Sequence, residues 1–241
     1  MNEKRRVLII GHRGASNIAP ENTLKAFQKA IELGADYIEF DIHQSKDGEI
    51  VIMHDANTYA ITGNKGLIKK MTLTELRMLD CGEGERIPTL LELIRIAKGK
   101  IGLQIEIKAK NLAENLVKIL RKEDLVETSI ISSFLHDELL KLQKIEPKLK
   151  LATLEPIITG WSKNWEYHSE ILHKVIKNNY FAIHPRQHLV NQELINHAHK
   201  NNIKVNIWTV NSKAAMKKFI QMGVDGIITD NIQNAKKALN K

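Results

Sequence analysis

The sequence contains a single cysteine, Cys81, and no long run of apolar residues. One cysteine cannot form an internal disulfide, so the fold does not require an oxidising compartment. The apolar run from Val7 to Ile10 is too short for the hydrophobic segment of a signal peptide. No other run approaches the roughly 18 apolar residues of a transmembrane helix. We therefore expect a cytoplasmic protein without stable insertion in a membrane.

Aromatic residues are also scarce, at 5% of the chain. A site for single-stranded nucleic acid combines a basic groove with aromatic side chains, and no basic stripe with interleaved aromatics is present, so nucleic acid is not an expected partner. The formal net charge of +8 could favour an anionic membrane surface or a phosphorylated substrate. The lysines are scattered, however, and short runs such as Lys69-Lys70 fit the solvated faces of helices. Nothing in the composition indicates an oligomeric state.

What the chain does contain is a regular alternation of strand and helix patterns. Its 241 residues, 43% of them hydrophobic, suffice for one large core. Residues 7–10 predict a first strand and residues 23–33 show helical periodicity. Residues 37–42 predict a second strand, which residues 50–53 continue after a turn. From residue 88 onward the two patterns alternate regularly up to a last helix at residues 232–239.

The alternation amounts to eight strand–helix units. Such units imply a parallel sheet, and eight of them close into a (β/α)8 TIM barrel of the α/β class, with its site at the C-terminal ends of the strands. An open doubly wound sheet is the alternative, but no Gly-x-Gly-x-x-Gly turn follows the first strand. We predict a single TIM-barrel catalytic domain over residues 1–241.

One stretch interrupts the alternation. Residues 55–87 lie between the second strand and its helix, and they are polar and rich in glycine. They contain a predicted short helix near residues 74–79, for which Thr72 and Glu75 would form a capping box. Long insertions in compact domains are usually functional loops or lids. We interpret this insertion as a small cap over the barrel mouth.

Acidic side chains mark the predicted strand ends. Glu39 and Asp41 are two residues apart on the second strand and therefore share a face. Burying two adjacent carboxylates is costly unless a cation or basic groups compensate. Glu106 on the third strand could join them in an oxygen-rich site for a hard divalent ion such as Mg²⁺ or Ca²⁺. A structural ion pair, such as Glu106 with Lys108, is the alternative.

Basic residues occupy the same predicted strand ends. His12 and Arg13 close the first strand, and since neighbouring strand residues face opposite ways, both can serve one site only where the chain turns, as Gly14 permits. Lone histidines are usually core or surface residues. The joint occurrence of His12 and His54 with the acids at one end of the barrel is what indicates metal-assisted chemistry on a phosphate. His43 shares the face of the acids but lies one step further out, and we interpret it as a bystander.

These residues belong to ordered motifs that extend over nearly the whole chain. The motifs are His12-Arg13-Gly14, Pro20-Glu21-Asn22-Thr23, Gly34-Ala35-Asp36, Glu39-x-Asp41, Lys46-Asp47-Gly48, His54-Asp55, Glu106-x-Lys108, Ser132-Ser133-Phe134, Trp208-Thr209-Val210-Asn211 and the run from Gly223 to Asp230. Together they resemble the signature of the glycerophosphodiester phosphodiesterase family. The resemblance implies a TIM barrel with a small insertion after the second strand, a divalent metal, and hydrolysis of small-molecule glycerophosphodiesters to glycerol 3-phosphate and an alcohol.

The resemblance also implies three groups of site residues, carried over position by position. The metal ligands would be Glu39, Asp41 and Glu106. The substrate-binding residues would be Arg13 and Lys108, which neutralise the phosphate, and Trp208, which lines the substrate's path. The general acid and base would be His12 and His54, in an order that the sequence leaves open. Direct attack by water and prior attack by the glycerol hydroxyl, through a cyclic phosphate, also both stay open.

Two stretches depart from the family pattern. Residues 58–64 lack an arginine that is common there, and His184 stands where an asparagine is frequent. Because lid and rim residues select the substrate, we expect both departures to bear on the alcohol moiety. An enzyme of the same barrel that acts on lysophospholipids at a membrane is an alternative, which an apolar and basic lid around residues 67–70 would favour. A non-catalytic phosphodiester-binding barrel is another, although no essential side chain is missing.

Overall fold

The computed structural model of the chain describes residues 6–156 and 165–240. Nine strands form one sheet. Their bounds are β1 (Leu8–His12), β2 (Tyr37–Gln44), β3 (Ile50–Ile52), β4 (Gly102–Ile107), β5 (Ile130–Ser133), β6 (Lys150–Glu155), β7 (Ala182–Pro185), β8 (Lys204–Ile207) and β9 (Gly226–Thr229).

Eight of these strands close into a barrel. Neighbours follow the order β1, β9, β8, β7, β6, β5, β4 and β2, and β1 also pairs with β2, which closes the ring. All of these pairings are parallel. The predicted TIM barrel is therefore confirmed, and the open doubly wound sheet is excluded.

The ninth strand, β3, lies outside the ring. It pairs antiparallel with the end of β2, with Ile42 opposite Ile52. Residues that were expected to continue the second strand thus fold back along it. The reversal comes from the intervening turn, where the Gly48 N–H donates to the Ser45 carbonyl at 3.1 Å.

Ten α-helices accompany the strands in the described ranges. Their bounds are α1 (Leu24–Glu32), α2 (Tyr59–Thr62), α3 (Leu73–Arg77), α4 (Leu90–Ala97), α5 (Ala113–Lys122), α6 (His136–Ile145), α7 (Trp165–Lys177), α8 (Gln192–Lys200), α9 (Lys213–Met222) and α10 (Ile232–Ala238). Local side chains set several starts: Thr23 caps α1, and Thr89 with Glu92 forms a capping box on α4. Such caps satisfy main-chain N–H groups that have no partner within the helix.

Alternation along the strands divides their side chains between two sides of the sheet. Phe40 of β2 faces the helices, where its ring meets that of Phe27 in α1 edge-to-face at 5.9 Å. A smaller cluster fills part of the barrel interior, and it consists of Ile130, Ala152 and Ala182. Glu39 and Asp41, which alternate with Phe40, therefore face the interior.

The insertion at residues 55–87 packs with Val51 and Met53 around a second, small core. Helices α2 and α3 and a 3₁₀ turn at Ile68–Lys70 lie in it. The predicted capping box of Thr72 and Glu75 is present at the start of α3. The core consists of Val51, Met53, Ile68, Leu76, Cys81 and Ile87. Cys81 is a free thiol, and burial raises its pKa to about 11.

No helix within the described ranges is long and apolar enough to cross a membrane. The longest of them, α7, has 13 residues, whereas a span needs about 20. The cytoplasmic location stays a prediction.

Candidate active site

Three carboxylates meet inside the barrel at the C-terminal ends of β2 and β4. The parallel register pairs Asp41 with Glu106, and the alternation along β2 puts Glu39 on the same face as Asp41. One oxygen of each residue lies within 4.8 Å of the others. Glu39 is 3% exposed, Asp41 1% and Glu106 8%, so the cluster is largely shielded from water.

Burial makes this cluster costly to ionise. It raises the pKa of Glu39 well above its ordinary value, and the charges of Asp41 and Glu106 act in the same direction. Burial, reinforced by the charge of Asp41, also raises the pKa of Glu106 to about 7. A divalent cation would offset this penalty because it stabilises ionised carboxylates.

One oxygen of Asp41 fits the role of a cation ligand. Its Oδ2 accepts a hydrogen bond of 2.9 Å from Asn22, whereas Oδ1 is buried with no hydrogen-bond partner among the described residues. The Lys108 ammonium is 3.6 Å from this oxygen. Buried polar atoms seldom lack partners, and all-oxygen donor sets are those that Mg²⁺ and Ca²⁺ prefer. The carboxylate cluster therefore fits a hard divalent metal.

Two cations border the cluster. The Lys108 ammonium lies 2.8 Å from Glu106 Oε1. The Arg13 guanidinium donates to Glu21 at 2.7 Å, and its Nε lies 3.6 Å from Asp41 Oδ2. The ion pair of Glu106 with Lys108 thus exists, but it forms part of the same constellation as the other acids instead of standing alone.

The turn after β1 brings His12 and Arg13 to one site. Arg13 has a φ of 53° and Gly14 a φ of 87°, so the chain leaves the strand direction directly after His12. The Arg13 N–H donates to Glu39 Oε2 at 2.9 Å, which holds the turn against β2. The turn expected at Gly14 therefore begins one residue earlier.

His12 and His54 line one cavity of about 100 Å³, together with Arg13, Glu39, Glu106, Lys108 and Trp208. His12 Nδ1 lies 2.6 Å from Asp230 Oδ1, and His54 Nδ1 lies 2.8 Å from Asp55 Oδ1.

His54 Nε2 lies 3.1 Å from the Lys108 ammonium. Because an ammonium group only donates, His54 Nε2 accepts, and this ring is neutral with its proton on Nδ1. Burial lowers the pKa of His54 and favours the same neutral form.

Three supporting residues had no role in the sequence interpretation. Asn22 holds Asp41, and Asp230 holds His12. His43, interpreted as a bystander, has its Nε2 3.1 Å from the main-chain carbonyl of His54. Asn22 and Asp230 both stand inside recognised motifs, Asn22 before the Thr23 cap of α1 and Asp230 directly after β9, and that position was the available signal.

Trp208 and Phe134 form an aromatic wall of the cavity. Their ring centroids are 5.6 Å apart in an edge-to-face arrangement. Trp208 Nε1 donates to the main-chain carbonyl of His184 at 2.8 Å. The His184 side chain is fully buried, with its Nε2 3.0 Å from Asn206 Nδ2. His184 thus holds Trp208 through its backbone, and its side chain does not reach the rim.

Among the described residues that line this cavity, none belongs to the insertion at residues 55–87. The loop at residues 58–64 is closed on itself, with the buried Thr58 hydroxyl donating to the Asn64 carbonyl at 2.6 Å. A capping role for residues 55–87 stays a prediction.

Comparison with known proteins agrees with this geometry. Residues 12–234 match the model of the glycerophosphoryl diester phosphodiesterase family. The chain is 38% identical to a glycerophosphodiester phosphodiesterase of Caldanaerobacter subterraneus subsp. tengcongensis, over 93% of this chain and 94% of that protein. It is 29% identical to a lysophospholipase D of Rattus norvegicus, over 96% of this chain and 85% of that protein.

A solved structure is similar over nearly the whole fold. It is a phosphodiesterase of Oleispira antarctica in complex with the product sn-glycerol 3-phosphate, with a TM-score of 0.85 and 28% identity over 97% of each chain. The family match covers the strand ends that carry the carboxylates, the histidines and the cations. This chain therefore belongs to the glycerophosphoryl diester phosphodiesterase family of phosphodiester hydrolases.

Proposed function

We propose that this chain hydrolyses glycerophosphodiesters to glycerol 3-phosphate and an alcohol with a divalent metal, Mg²⁺ or Ca²⁺, as cofactor. The observation that carries the proposal is the cluster of buried carboxylates with oxygens within 4.8 Å of one another. The metal ligands would be Glu39, Asp41 and Glu106. The metal would supply positive charge to the phosphate and to the oxygens that gain charge during the reaction.

Arg13 and Lys108 are proposed to bind the phosphate oxygens. Both line the cavity, and each keeps an acidic partner, Glu21 for Arg13 and Glu106 for Lys108. Those partners set the position of the cationic groups before the substrate arrives, which favours a fixed arrangement of charge. Trp208 would line the path of the alcohol.

The hydrogen bonds suggest how the two histidines divide the proton transfers. His54 is neutral with an accepting Nε2, so it can take the proton of the attacking water or glycerol hydroxyl once the phosphate engages Lys108. His12 is then the histidine available to protonate the leaving group, and its Nδ1 lies 2.6 Å from Asp230 Oδ1. We assign His54 as the base and His12 as the acid that protonates the leaving alkoxide as the phosphorus–oxygen bond breaks.

The direct test is release of glycerol 3-phosphate from glycerophosphocholine and glycerophosphoethanolamine. The protein is assayed with EDTA and then with added Mg²⁺, Ca²⁺ or Mn²⁺. We expect no release with EDTA, restored release with at least one metal, and loss of restoration in Glu106→Gln. The matched control is Glu49→Gln, an exposed glutamate that should behave as wild type. Release that is unaffected by EDTA would contradict the metal's role.

A second candidate function is hydrolysis of lysophospholipids at a lipid surface. The observation in its favour is the surface of the insertion, where Tyr59 is 55% and Leu67 37% exposed near the exposed Lys69 and Lys70. Ile68 of the same run is buried and belongs to the core of the insertion. The test is choline release from lysophosphatidylcholine, compared with Leu67→Ser. Release that depends on Leu67 would support this function, and release from glycerophosphocholine alone would exclude it.

A further inference from the structure

Asp230 lies next to His12 because the barrel closes between β9 and β1. The register pairs Gly11 with Thr229, which puts the residue after each of them side by side. Asp230 Oδ1 is 2.6 Å from His12 Nδ1 and 3.0 Å from the Ser16 hydroxyl. The same hydroxyl lies 2.8 Å from the His12 carbonyl, so Ser16 ties the two residues together.

Asn211 holds the other oxygen of Asp230 in a defined orientation. Its Oδ1 accepts from the Asp230 N–H at 2.9 Å and from the Thr229 hydroxyl at 3.0 Å. An amide oxygen that accepts twice leaves the NH₂ group to face the other way, and that group donates to Asp230 Oδ2 at 2.5 Å. Both oxygens of Asp230 are therefore acceptors, and the carboxylate is not free to rotate.

We propose that Asp230 is a positioning residue that fixes the Nδ1 proton of His12 and directs His12 Nε2 into the cavity. The inference rests on the proposed function, in which His12 protonates the leaving alkoxide. A ring with Nδ1 on a fixed acceptor presents a protonated Nε2 to the substrate when charged, and returns to one defined tautomer when neutral.

The charge state of Asp230 agrees with this role. Burial opposes ionisation, but the hydrogen bonds from His12, Asn211 and Ser16 and the charge of His12 outweigh it and lower the pKa of Asp230 to about 2. Asp230 is therefore a carboxylate at neutral pH, and it accepts from His12.

The acidic partner of the other histidine is held less firmly. Asp55 adjoins His54 in the chain, and its side chain is 48% exposed, compared with 31% for Asp230. We therefore expect the loss of a carboxylate to matter more at Asp230 than at Asp55.

The test compares two substrates that differ in their need for an acid. The alkoxide of choline must be protonated as it leaves glycerophosphocholine, whereas nitrophenolate leaves a p-nitrophenyl ester of glycerol 3-phosphate without a proton. In the metal-loaded protein, Asp230→Asn should lower kcat for glycerophosphocholine by about 10² to 10⁴-fold, as removal of the orienting carboxylate of a catalytic histidine does elsewhere. We expect less than about a tenfold loss of kcat for the nitrophenyl ester and little change in KM for either.

A matched control lies at the opposite end of the same strand. Asp225 precedes β9 and its Oδ2 lies 2.7 Å from His199 Nε2, so it is likewise an aspartate paired with a histidine. Asp225→Asn should change the activity toward both substrates equally. Equal losses for the two substrates in Asp230→Asn would mean that Asp230 is only structural, and this would overturn the inference.

Two further variants separate this inference from the proposed function. If His12→Ala leaves glycerophosphocholine turnover near normal, the proposed role of His12 fails. If His12→Ala is impaired but Asp230→Asn is not, only the inference about Asp230 fails.

Should Asp230→Asn not fold, Asn211→Ala removes the hydrogen-bond donor to Asp230 Oδ2 and should give a smaller loss of kcat with the same substrate dependence. Equal effects of Asn211→Ala on both substrates would then contradict the role of Asp230.

The tautomer can also be observed directly. In ¹⁵N NMR spectra of the neutral His12 ring, wild-type protein should show the proton on Nδ1. In Asp230→Asn a mixture of tautomers is expected, because the amide of the new side chain can donate as well as accept. An unchanged tautomer in the variant would show that another group positions His12.

Discussion

Lys108 connects the carboxylate cluster with the pair of histidines. Its ammonium contacts Glu106 at 2.8 Å and His54 Nε2 at 3.1 Å. It also lies 5.9 Å from the centre of the Phe134 ring. A single side chain thus touches the acids, a proposed base and the aromatic wall, and a phosphate bound to it would be in reach of all three.

We predict that Lys108→Met lowers kcat/KM for glycerophosphocholine by about 10² to 10³-fold, because one preorganised charge on the phosphate is lost. Steady-state kinetics with saturating metal measure this. The control is Lys110→Met, which removes an exposed lysine two positions further along the chain and should leave kcat/KM unchanged. Wild-type kcat/KM in Lys108→Met would remove Lys108 from the phosphate site.

His184 provides a prediction about pH. Burial lowers its pKa from 6.5 to about 3, so only the unfolded chain takes up this proton between those values. Its contribution to stability is therefore present above pH 6.5 and is lost as the pH falls toward 3. From pH 7.5 to pH 5 the free energy of unfolding of wild type should fall by about 2 kcal/mol relative to His184→Asn.

Urea denaturation of both proteins at the two pH values measures this difference. His173→Asn, at an exposed histidine, serves as the control and should follow wild type at both. A gap between wild type and His184→Asn that does not change with pH would mean that His184 takes up its proton in the folded protein.

Much of the candidate site could be predicted at the residue scale. The period of two along a strand put Glu39 and Asp41 on one face, and the shared end of parallel strands added Glu106. Asp230 was not assigned a role, since it lies 218 positions from His12 and their contact exists only in the folded barrel. Local patterns identify a residue's face, but not its partner from a distant part of the chain.

At the scale of elements, the turn between β1 and α1 packs closely against the helix. A Cβ atom at Gly14 would lie 2.7 Å from the Ala26 carbonyl carbon and 2.8 Å from its Cβ. The helix α1 therefore packs directly on the turn that positions Arg13. Gly48 has a similar φ of 89° but nothing within 4 Å of such an atom.

These two glycines form a matched pair for mutation. Gly48→Ala should cost only the backbone strain, about 1 kcal/mol of the free energy of unfolding. Gly14→Ala adds a clash with α1 and should cost at least about 3 kcal/mol, measured by urea denaturation. It should also reduce turnover, because Arg13 lies in this turn and its N–H donates to Glu39. Equal losses of stability in the two variants would contradict the close contact between the turn and α1.

The elements were predicted best where a local signal sets them. Helix α1 was expected at residues 23–33 and occupies Leu24–Glu32, after its Thr23 cap. The capping boxes at the starts of α3 and α4 could likewise be predicted from the sequence. The direction of β3 was missed, because an apolar run has the same pattern whether the chain continues a strand or returns along it.

At the scale of the whole molecule, closure of the barrel creates the site. The pairing of β1 with both β2 and β9 brings His12, and the turn at Arg13 that follows it, between Glu39 on one side and Asp230 on the other. Eight repeated units predicted this closure from the sequence alone. An open sheet with the same strands would leave the first and last of them apart, and no such site could form.

The metal dependence of hydrolysis is the central claim, and titration of metal-stripped protein with Mn²⁺ tests it most directly. Bound Mn²⁺ is counted by EPR while glycerol 3-phosphate release from glycerophosphocholine is measured in the same samples. We predict one tightly bound ion per chain, turnover that rises in proportion to its occupancy, and binding weakened by at least about tenfold in Glu39→Gln and Glu106→Gln. Full turnover in the stripped protein, or unchanged Mn²⁺ affinity in both variants, would contradict the account.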